Sequence, residues 1–232
     1  MKNISSRSNP LFKFLYRLAT SARTRRHEKK TLIEGIHLIE EWTQRSPSNL
    51  MIYIAEDAKN HPEVRSLLNK VSSVAVFSRA LFDEISPVKH SVGILGVVDI
   101  PTSPPASHFT HAKDALWIDN VQDTGNIGTI LRTAAGAGID QILMTQSVDT
   151  AWSPKCLRAA MGAHLSLRFY EATALMPQLI NHPYILATTG QASTSLFDID
   201  LTLPTLWIVG NEGQGINAQT YALATHQVSI PL

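Results

Sequence analysis

This 232-residue chain contains a single cysteine, Cys156. An internal disulfide and a cysteine-based metal site are therefore excluded, because each needs at least a second thiol. No apolar run approaches the roughly 18 residues that a membrane helix needs, and the basic N-terminus lacks the apolar core of a signal peptide. These absences predict an intracellular protein, and we expect it in the cytoplasm without a membrane partner.

Several ligand-binding signatures are missing as well. The dinucleotide fingerprint GxGxxG and the phosphate-binding pattern GxxxxGKS/T do not occur in the chain. Ser195 does not stand in a GxSxG turn, so the sequence does not support it as a nucleophile. His108 and His111 form a pair without a cysteine partner, and we expect no metal site there.

Positive charge is concentrated at the N-terminus. Nine of the 20 Lys and Arg residues lie within the first 30 positions, where Glu28 is the single acidic residue. Such a concentration attracts a polyanion, most commonly a nucleic acid, although a solvated basic tail is an equally good interpretation. Leu11, Leu15, Leu18 and Ala22 recur at helical spacing, so the basic residues are predicted to decorate an amphipathic helix.

A segment rich in Pro, Ser and Thr at 100–112 has the composition of a semi-rigid linker and divides the chain into parts 1–99 and 113–232. In the first part, strands are predicted at 50–55, 74–77 and 92–100, and helices at 34–44 and 61–70. In the second part, strands are predicted at 115–119, 141–145, 165–170, 184–189, 206–210 and 228–232. These apolar strands lack alternation, which predicts an α/β fold with a mostly parallel sheet covered on both faces.

A polar stretch with glycines, DNVQDTGNIGTILRTAAGAG (119–138), follows the predicted strand ALWI. If a helix starts near Asn126, Gly128 and Gly136 lie one turn from Arg132. A large partner could then approach the guanidinium closely. The alternative is structural: the two glycines allow tight helix–sheet packing, and Arg132 is exposed to solvent without a partner. The residues alone leave both interpretations open.

A second loop, GNEGQG (210–215), follows the strand LWIV, at the type of strand end where α/β sheets bind ligands. Gly213 and Gly215 let the backbone approach a ligand closely. Asn211 and Glu212 add polar groups without a basic side chain, so the loop suits a flat, neutral heterocycle better than a pyrophosphate. Glu212 could alternatively cap the helix that follows.

Three motifs in this order resemble those of the SpoU, or TrmH-like, RNA ribose methyltransferases. They are N-x-G-x-x-x-R from Asn126 to Arg132, G-N-E-G-x-G at 210–215, and S-I-P at 229–231. NPLFKFL, EGIHLIEEW and VGILGVV are similar to that family's N-terminal substrate-binding domain, which resembles RNA-binding ribosomal proteins. The resemblance covers nearly all of the chain.

The resemblance implies a fold, a reaction and an assembly. The fold is a parallel α/β sheet whose C-terminal part threads into a trefoil knot, an exception to the usual rule against knots. The reaction transfers a methyl group from S-adenosylmethionine to a ribose 2′-hydroxyl of structured RNA, with rRNA favoured over tRNA. The assembly is a homodimer.

Site residues follow from the same motifs and from the basic cluster. The expected catalytic residues are Asn126, Arg132 and Glu212. The expected cofactor contacts are Thr188, Gly210, Ile230 and Leu232. The expected RNA contacts are Arg23, Arg25, Arg26, Lys29 and Lys30. No metal is expected to take part.

The proposed chemistry uses Arg132 as a binding group. Arginine is in general a poor base, because its pKa exceeds about 12. We therefore expect Arg132 to fix the adjacent phosphate and to lower the pKa of the ribose hydroxyl, while Asn126 orients that hydroxyl. The proton would then leave to the phosphate or to water.

Members of the family continue after the I-P dipeptide into an S-L-N segment that completes the cofactor pocket and the knot. We therefore expect the protein to continue past Leu232, with part of the methyltransferase domain missing from this sequence. Two rival functions stay open. One is a non-catalytic RNA-binding protein with a degenerate methyltransferase domain, and the other is an RNA base methyltransferase.

Overall fold

The computed structural model describes residues 2–46, 50–69, 74–88, 90–179 and 182–231. The chain divides into two compact units. The first is formed by Met1–Pro101 together with Ala151–Leu165, and the second by Thr102–Thr150 together with Ser166–Leu232. Residues 151–165 therefore pack with the first unit, although their position in the chain placed them in the second predicted domain.

The elements alternate between strand and helix over most of the chain. The strands are β1 (Lys2–Ile4), β2 (Lys30–Glu34), β3 (Met51–Ala55), β4 (Val74–Phe77), β5 (Ile94–Asp99), β6 (Ala115–Ile118), β7 (Gln141–Met144), β8 (Arg168–Glu171), β9 (Ile185–Thr188), β10 (Leu206–Val209) and β11 (His226–Val228). The helices are α1 (Pro10–Thr20), α2 (Ala22–Glu28), α3 (Ile36–Arg45), α4 (Pro62–Leu68), α5 (Arg79–Ile85), α6 (Thr124–Gly136), α7 (Pro154–Ala160), α8 (Ala172–Leu179) and α9 (Ala218–Tyr221). None of the helices in the described part of the chain combines the length and apolar character that a membrane crossing requires.

The first unit contains a mixed sheet. Among the described residues its strands run in the order β1-β4-β3-β5-β2. β4 pairs in parallel with β1 and β3, whereas β5 pairs antiparallel with β2 and β3. The sequence predicted β3, β4 and β5 but not β1 or β2. β1 is three residues long and β2 begins with two polar residues, so neither shows the apolar run on which the prediction depended.

The predicted basic helix is two helices. α1 starts with Asn9 as its N-cap and Pro10 in the first turn, and it buries Phe12, Leu15 and Leu18. It ends at Ser21, whose backbone is extended and whose hydroxyl accepts a hydrogen bond from the Thr24 N–H to cap α2. The chain therefore leaves the helical conformation at Ser21, and Ala22 begins a new helix and does not continue α1.

The second unit contains the parallel sheet that the sequence predicted. Its strands, over the described residues, run in the order β11-β9-β10-β6-β7-β8, and each neighbouring pair is parallel. β6 and β7 are buried at every position, as expected for strands covered on both faces. Trp117, Tyr170 and Leu175 lie in one apolar core of this unit. The carboxyl ends of β6, β9 and β10 therefore meet at one edge of the sheet.

The last strand differs from its prediction. The strand was predicted at 228–232, but β11 ends at Val228, which is buried. Past this point Ser229 bonds to the segment before β10, because its N–H donates to Thr194 O and its carbonyl accepts from Leu196 N–H. Ile230 is 53% exposed.

Two segments pack differently from their prediction. Phe109, within the proline-rich 100–112 segment, is buried in the core of the second unit against Tyr170. In the first unit, Thr31 Oγ1 donates to Trp152 O at 2.7 Å, and the Trp152 ring packs edge-on against Trp42. These contacts explain why 151–165 belongs to the first unit.

Candidate active site

The glycine-rich loop after β10 forms one compact turn. Asn211 N–H donates to Gly215 O and Gly215 N–H donates to Asn211 O, both at 2.9 Å. The Asn211 side-chain oxygen accepts from the N–H groups of Gly213 and Gln214, also at 2.9 Å. A Cβ on Gly210 would lie 2.4 Å from the carbonyl carbon of Gly215, so the turn requires glycine there. The loop is therefore preorganised without a ligand.

This loop forms one wall of a cavity of about 780 Å³, which we call the large cavity. The carboxyl ends of β9 and β10 and the residues of α9 supply further walls. The volume lies in the range of about 300–1,000 Å³ that is typical of small-molecule sites. Thr188 and Gly210, two of the predicted cofactor contacts, line it. The Thr188 hydroxyl donates to Ile208 O at 2.9 Å and so has a fixed orientation.

The N-terminus of α6 meets this loop through a pair of side chains. Asp123 caps the helix by accepting from the N–H groups of Gly125 at 2.6 Å and Asn126 at 3.0 Å. Asn126 Nδ2 donates to Glu212 Oε1 at 2.7 Å. That hydrogen bond is the main cause that lowers the pKa of Glu212 below its usual value, so the carboxylate is charged at neutral pH. The structure thus brings two predicted catalytic residues together.

The alternative role for Glu212 as a helix cap is not the one observed. α9 has Asn217 as its N-cap, and the Asn217 side-chain oxygen accepts from the N–H groups of Gln219 and Thr220. Glu212 instead bonds Asn126, at a point 86 residues away in the chain. Its carboxylate therefore connects α6 to the loop.

Arg132 lies on α6 with an exposed side chain. Within the described residues it makes no hydrogen bond or ion pair, and it does not line the large cavity. Of the two glycines near it, Gly128 is buried, whereas a Cβ on Gly136 would meet nothing within 4 Å. The packing interpretation therefore applies to Gly128 and not to Gly136, and the guanidinium is available to a partner.

Asp119, which the sequence analysis did not identify as a site residue, connects several elements near the large cavity by hydrogen bonds. Asp119 is fully buried at the end of β6. Its oxygens accept from Asn217 N–H at 2.6 Å, from Asn217 Nδ2 at 2.7 Å and from Thr145 Oγ1 at 2.6 Å. Thr220 Oγ1 donates to it at 3.3 Å. These bonds tie the ends of β6 and β7 to the cap of α9. In the sequence, the signal that could have identified Asp119 was an acidic residue directly after four apolar residues.

The remaining predicted cofactor contacts lie elsewhere. Ile230 is exposed and is not among the residues that line the large cavity. Leu232 lies outside the described residues.

The predicted RNA contacts differ in how far their side chains are exposed. Arg23, Arg26 and Lys29 are exposed. Arg25 is 8% exposed and its Nη1 donates to Leu18 O at 2.8 Å at the end of α1, so its guanidinium is less accessible than those of its basic neighbours. Lys30 is half-buried and forms an ion pair with Asp99 on the neighbouring strand. The basic surface is therefore smaller than the sequence indicated.

The histidine pair of the linker lies among other rings. His111 packs edge-on against Phe109 and against His182, with ring centroids 5.3 Å and 5.1 Å away. In the described ranges, no group of three or more His, Cys, Asp or Glu residues is placed to hold a metal ion.

Two family models match the chain, and together they span most of it. The SpoU rRNA methylase family matches residues 114–232. The MRM3-like substrate-binding domain matches residues 9–96. The first match contains every residue that shapes the large cavity, and the second contains the basic helices.

Related proteins support the same assignment. An uncharacterized tRNA/rRNA methyltransferase of Synechocystis is 35% identical over 99% of this chain and 85% of its own length. The 23S rRNA (guanosine-2′-O)-methyltransferase RlmP of Bacillus subtilis is 28% identical over 100% of this chain and 91% of its own. The SpoU methyltransferase AviRb of Streptomyces viridochromogenes, solved with the cofactor AdoMet, shares the fold with a TM-score of 0.86 at 21% identity, covering 97% of this chain and 89% of its own. This chain belongs to the SpoU rRNA methylase family.

Proposed function

We propose that this protein transfers a methyl group from S-adenosylmethionine to a ribose 2′-hydroxyl of ribosomal RNA. The observation that carries the proposal is the hydrogen bond from Asn126 to Glu212, which joins α6 to the wall of the large cavity. Membership of the SpoU rRNA methylase family and the 23S rRNA activity for which the B. subtilis relative is named support rRNA over tRNA. The match to a substrate-binding domain supports RNA as the partner.

The residues of the large cavity fit S-adenosylmethionine. Among its described lining residues, Glu212 is the charged one, and a carboxylate attracts the positively charged sulfonium. Val209, Ile216 and Tyr221 offer apolar surface for an adenine ring. When bound, the cofactor supplies an electrophilic methyl group for an in-line displacement. The protein therefore has to align a ribose oxygen, and such alignment accounts for a large part of the rate in reactions of this type.

Asn126 is the residue that orients the ribose hydroxyl. Its Nδ2 is held by Glu212, so its side-chain oxygen is fixed in direction and can accept a hydrogen bond from the 2′-hydroxyl. Glu212 is a weak proton acceptor, because the bond from Asn126 lowers its pKa. We therefore assign Glu212 to holding Asn126 and leave proton removal to the RNA phosphate or to water.

Arg132 is the residue that binds the phosphate beside the target ribose. Its guanidinium is exposed and has no protein partner among the described residues. Guanidinium groups bind phosphate oxygens with paired hydrogen bonds, and the positive charge stabilises the oxygen anion that develops on the ribose. Arg132 thus acts on the substrate and not on the cofactor.

The experiment that tests the function is a nucleoside analysis. The purified protein is incubated with methyl-labelled S-adenosylmethionine and total RNA, and the RNA is digested to nucleosides. We expect the label in a 2′-O-methylnucleoside from the rRNA fraction. Label in a methylated base supports base methylation, and no incorporation supports a non-catalytic RNA-binding protein; either result contradicts the proposal.

We also infer a homodimer in the cytoplasm with a knotted second unit. Phe197, Leu201 and Leu203 are exposed apolar side chains on one segment, and such patches commonly form interfaces. β10 lies between β6 and β9 while the chain returns to β11 beyond β9, a strand order that supports the knot. Light scattering on the purified protein tests the dimer, and a monomer at micromolar concentration contradicts it.

A further inference from the structure

A second cavity, of about 380 Å³, lies at the ends of β6 and β7 in the second unit, and we call it the amide cavity. Five of its lining residues carry side-chain amides, and the other two are a valine and a threonine. The amide residues are Asn120, Gln122, Gln146, Asn211 and Gln214. Because no described lining residue is charged, the cavity suits a neutral group with hydrogen-bonding edges better than a phosphate.

Part of this lining is locked by internal hydrogen bonds. Gln146 Oε1 accepts from Asn120 N–H at 3.0 Å, and Gln146 Nε2 donates to Val121 O at 2.8 Å. Asn211 Nδ2 donates to Asn120 O at 3.0 Å. Asn120 has a left-handed backbone with φ of 56°, a conformation that asparagine tolerates better than most residues. The floor of the amide cavity is therefore rigid.

Two further amides are free to bind a ligand. Gln122 and Gln214 are exposed, and in the described part of the chain no hydrogen bond to either side-chain amide is found. Each amide offers an acceptor oxygen and two donor hydrogens. Paired donors and acceptors of this kind match the edges of nucleobases, and single-stranded RNA exposes those edges.

The amide cavity lies beside the hydrogen-bonded side chains of Asn126 and Glu212. Asn211 and Gln214 line both cavities, so the stretch 211–214 is their common wall. Besides the bond from Asn126, the backbone N–H of Gln122 helps to lower the pKa of the Glu212 carboxyl, and the same carboxylate holds Asn126. A ribose placed at Asn126 therefore has its own base within reach of Gln122.

We propose that the amide cavity binds the base of the nucleotide whose ribose is methylated, and that Gln122 and Gln214 read its hydrogen-bonding edge. This inference rests on the proposed methyl transfer to RNA and adds the determinant of nucleotide choice. The base has to leave its stack to enter, which is easiest in a loop or bulge of the RNA.

The variant that tests this is Gln122→Met. Methionine keeps the length of the side chain and removes both hydrogen-bonding groups. Gln122 does not line the large cavity, so cofactor binding should be unchanged. The matched control is Gln219→Met, an exposed glutamine of α9 that lines neither cavity.

The measurement uses unmodified transcripts of the small-subunit and large-subunit rRNAs together with methyl-labelled S-adenosylmethionine. We expect the unaltered protein and Gln219→Met to label mainly one of the four 2′-O-methylnucleosides. We expect Gln122→Met to lose about tenfold in kcat/KM, the size expected for one lost base contact, and to spread its label over other nucleosides. Its Kd for S-adenosylmethionine should stay within about twofold.

Each other outcome overturns a distinct claim. Unchanged rate and nucleoside choice in Gln122→Met overturn the base-binding role while the methyl transfer stands. A raised Kd for S-adenosylmethionine with an unchanged KM for RNA overturns it too, because the cavity then serves the cofactor. No labelled nucleoside from the unaltered protein overturns the proposed function itself, and the base-binding role with it.

Discussion

The basic end of the first unit and the amide-rich end of the second offer RNA different chemistry. Near α2 the exposed groups include the cations Arg23, Arg26 and Lys29. Around 211–214 the groups are amides beside one carboxylate. Cations bind phosphates regardless of base sequence, whereas amides distinguish base edges. We infer that the first region supplies affinity and the second supplies alignment and choice of nucleotide.

The largest expected effect comes from Arg132→Ala, which removes the one cation that we place at the reacting ribose. We expect methyl transfer to fall by about 100- to 1,000-fold, the range for loss of a group that stabilises a developing oxygen anion. The Kd for S-adenosylmethionine and the oligomeric state should not change, because Arg132 does not line the large cavity. Near-normal turnover would remove Arg132 from the mechanism.

Acid should destabilise the folded protein through the buried histidine His164. His164 in the first unit is 4% exposed, and its Nε2 lies 2.8 Å from Ala151 O. Burial is the main cause that lowers the pKa of His164 from 6.5 to about 4. Because the pKa is lower in the folded state, the stabilisation is present above pH 6.5 and is lost as the pH falls towards 4. At about 1.4 kcal/mol per pKa unit, this amounts to about 3 kcal/mol.

Denaturant unfolding at pH 7 and at pH 4.5 measures this loss. His164→Gln should be less stable at pH 7 but should lose less free energy of unfolding on acidification than the unaltered protein. His90→Gln, which changes an exposed histidine, is the control and should keep the full pH dependence. Equal pH dependence in all three proteins would show that His164 contributes none of it.

Asp119→Asn should weaken the binding of S-adenosylmethionine. The amide nitrogen that replaces one carboxylate oxygen cannot accept a hydrogen bond. The variant therefore loses either the bond from Asn217 N–H to Oδ2 or the bonds to Oδ1, which include the one from Thr145, and an unpaired buried donor costs about 1–3 kcal/mol. We expect the Kd for S-adenosylmethionine to rise about tenfold, because Asn217 positions α9 at the wall of the large cavity.

The control for Asp119 is Asp114→Ala, at the other end of the same strand. Asp114 Oδ1 accepts from Thr205 N–H at 2.7 Å, so truncation removes the partner of a backbone group here too. Calorimetry should find its affinity for S-adenosylmethionine unchanged. A similar loss in both variants would mean that general destabilisation, and not the position of Asn217, weakens binding.

The smallest effect is expected at the basic surface. Each phosphate contact contributes about 0.7–0.9 to the slope of log affinity against log salt concentration. Arg23→Ala with Lys29→Ala should therefore reduce the slope by about 1.5, as measured by filter binding to rRNA fragments. Arg7→Ala with Glu84→Ala removes an existing ion pair without changing net charge, and its slope should not change. An equal reduction of the slope in both double variants would contradict an RNA-binding role for the basic residues near α2.

The sequence predicted the elements whose signal is local. Apolar runs such as ALWI predict β6 because a strand buried on both faces needs no alternation. The family and the fold class are confirmed; the α/β class was predicted from apolar strands without alternation, and the family from motifs whose order and spacing are visible in the chain. The motifs named Asn126 and Glu212 as site residues, but the hydrogen bond between them was not predicted, since no local rule joins residues 86 positions apart.

The features that the sequence did not predict depend on contacts between residues far apart in the chain, which a sequence pattern does not show. Asp119 bonds to residues 26 and 98 positions away, so its role needed the folded sheet. Arg25 resembles its basic neighbours in the sequence, yet the turn at Ser21 directs its guanidinium towards the carbonyl groups of α1. The packing of 151–165 with the first unit depends on Trp152 and Thr31, which are 121 positions apart.

The most direct test of the central claim is alkaline hydrolysis of RNA that the protein has labelled. A 2′-O-methyl group removes the hydroxyl that attacks the neighbouring phosphodiester, so the bond next to it survives alkali. If the protein methylates ribose, the label should be recovered in alkali-resistant dinucleotides from rRNA, and Arg132→Ala should leave almost none. Label recovered in mononucleotides would place the methyl group on a base and contradict the assignment.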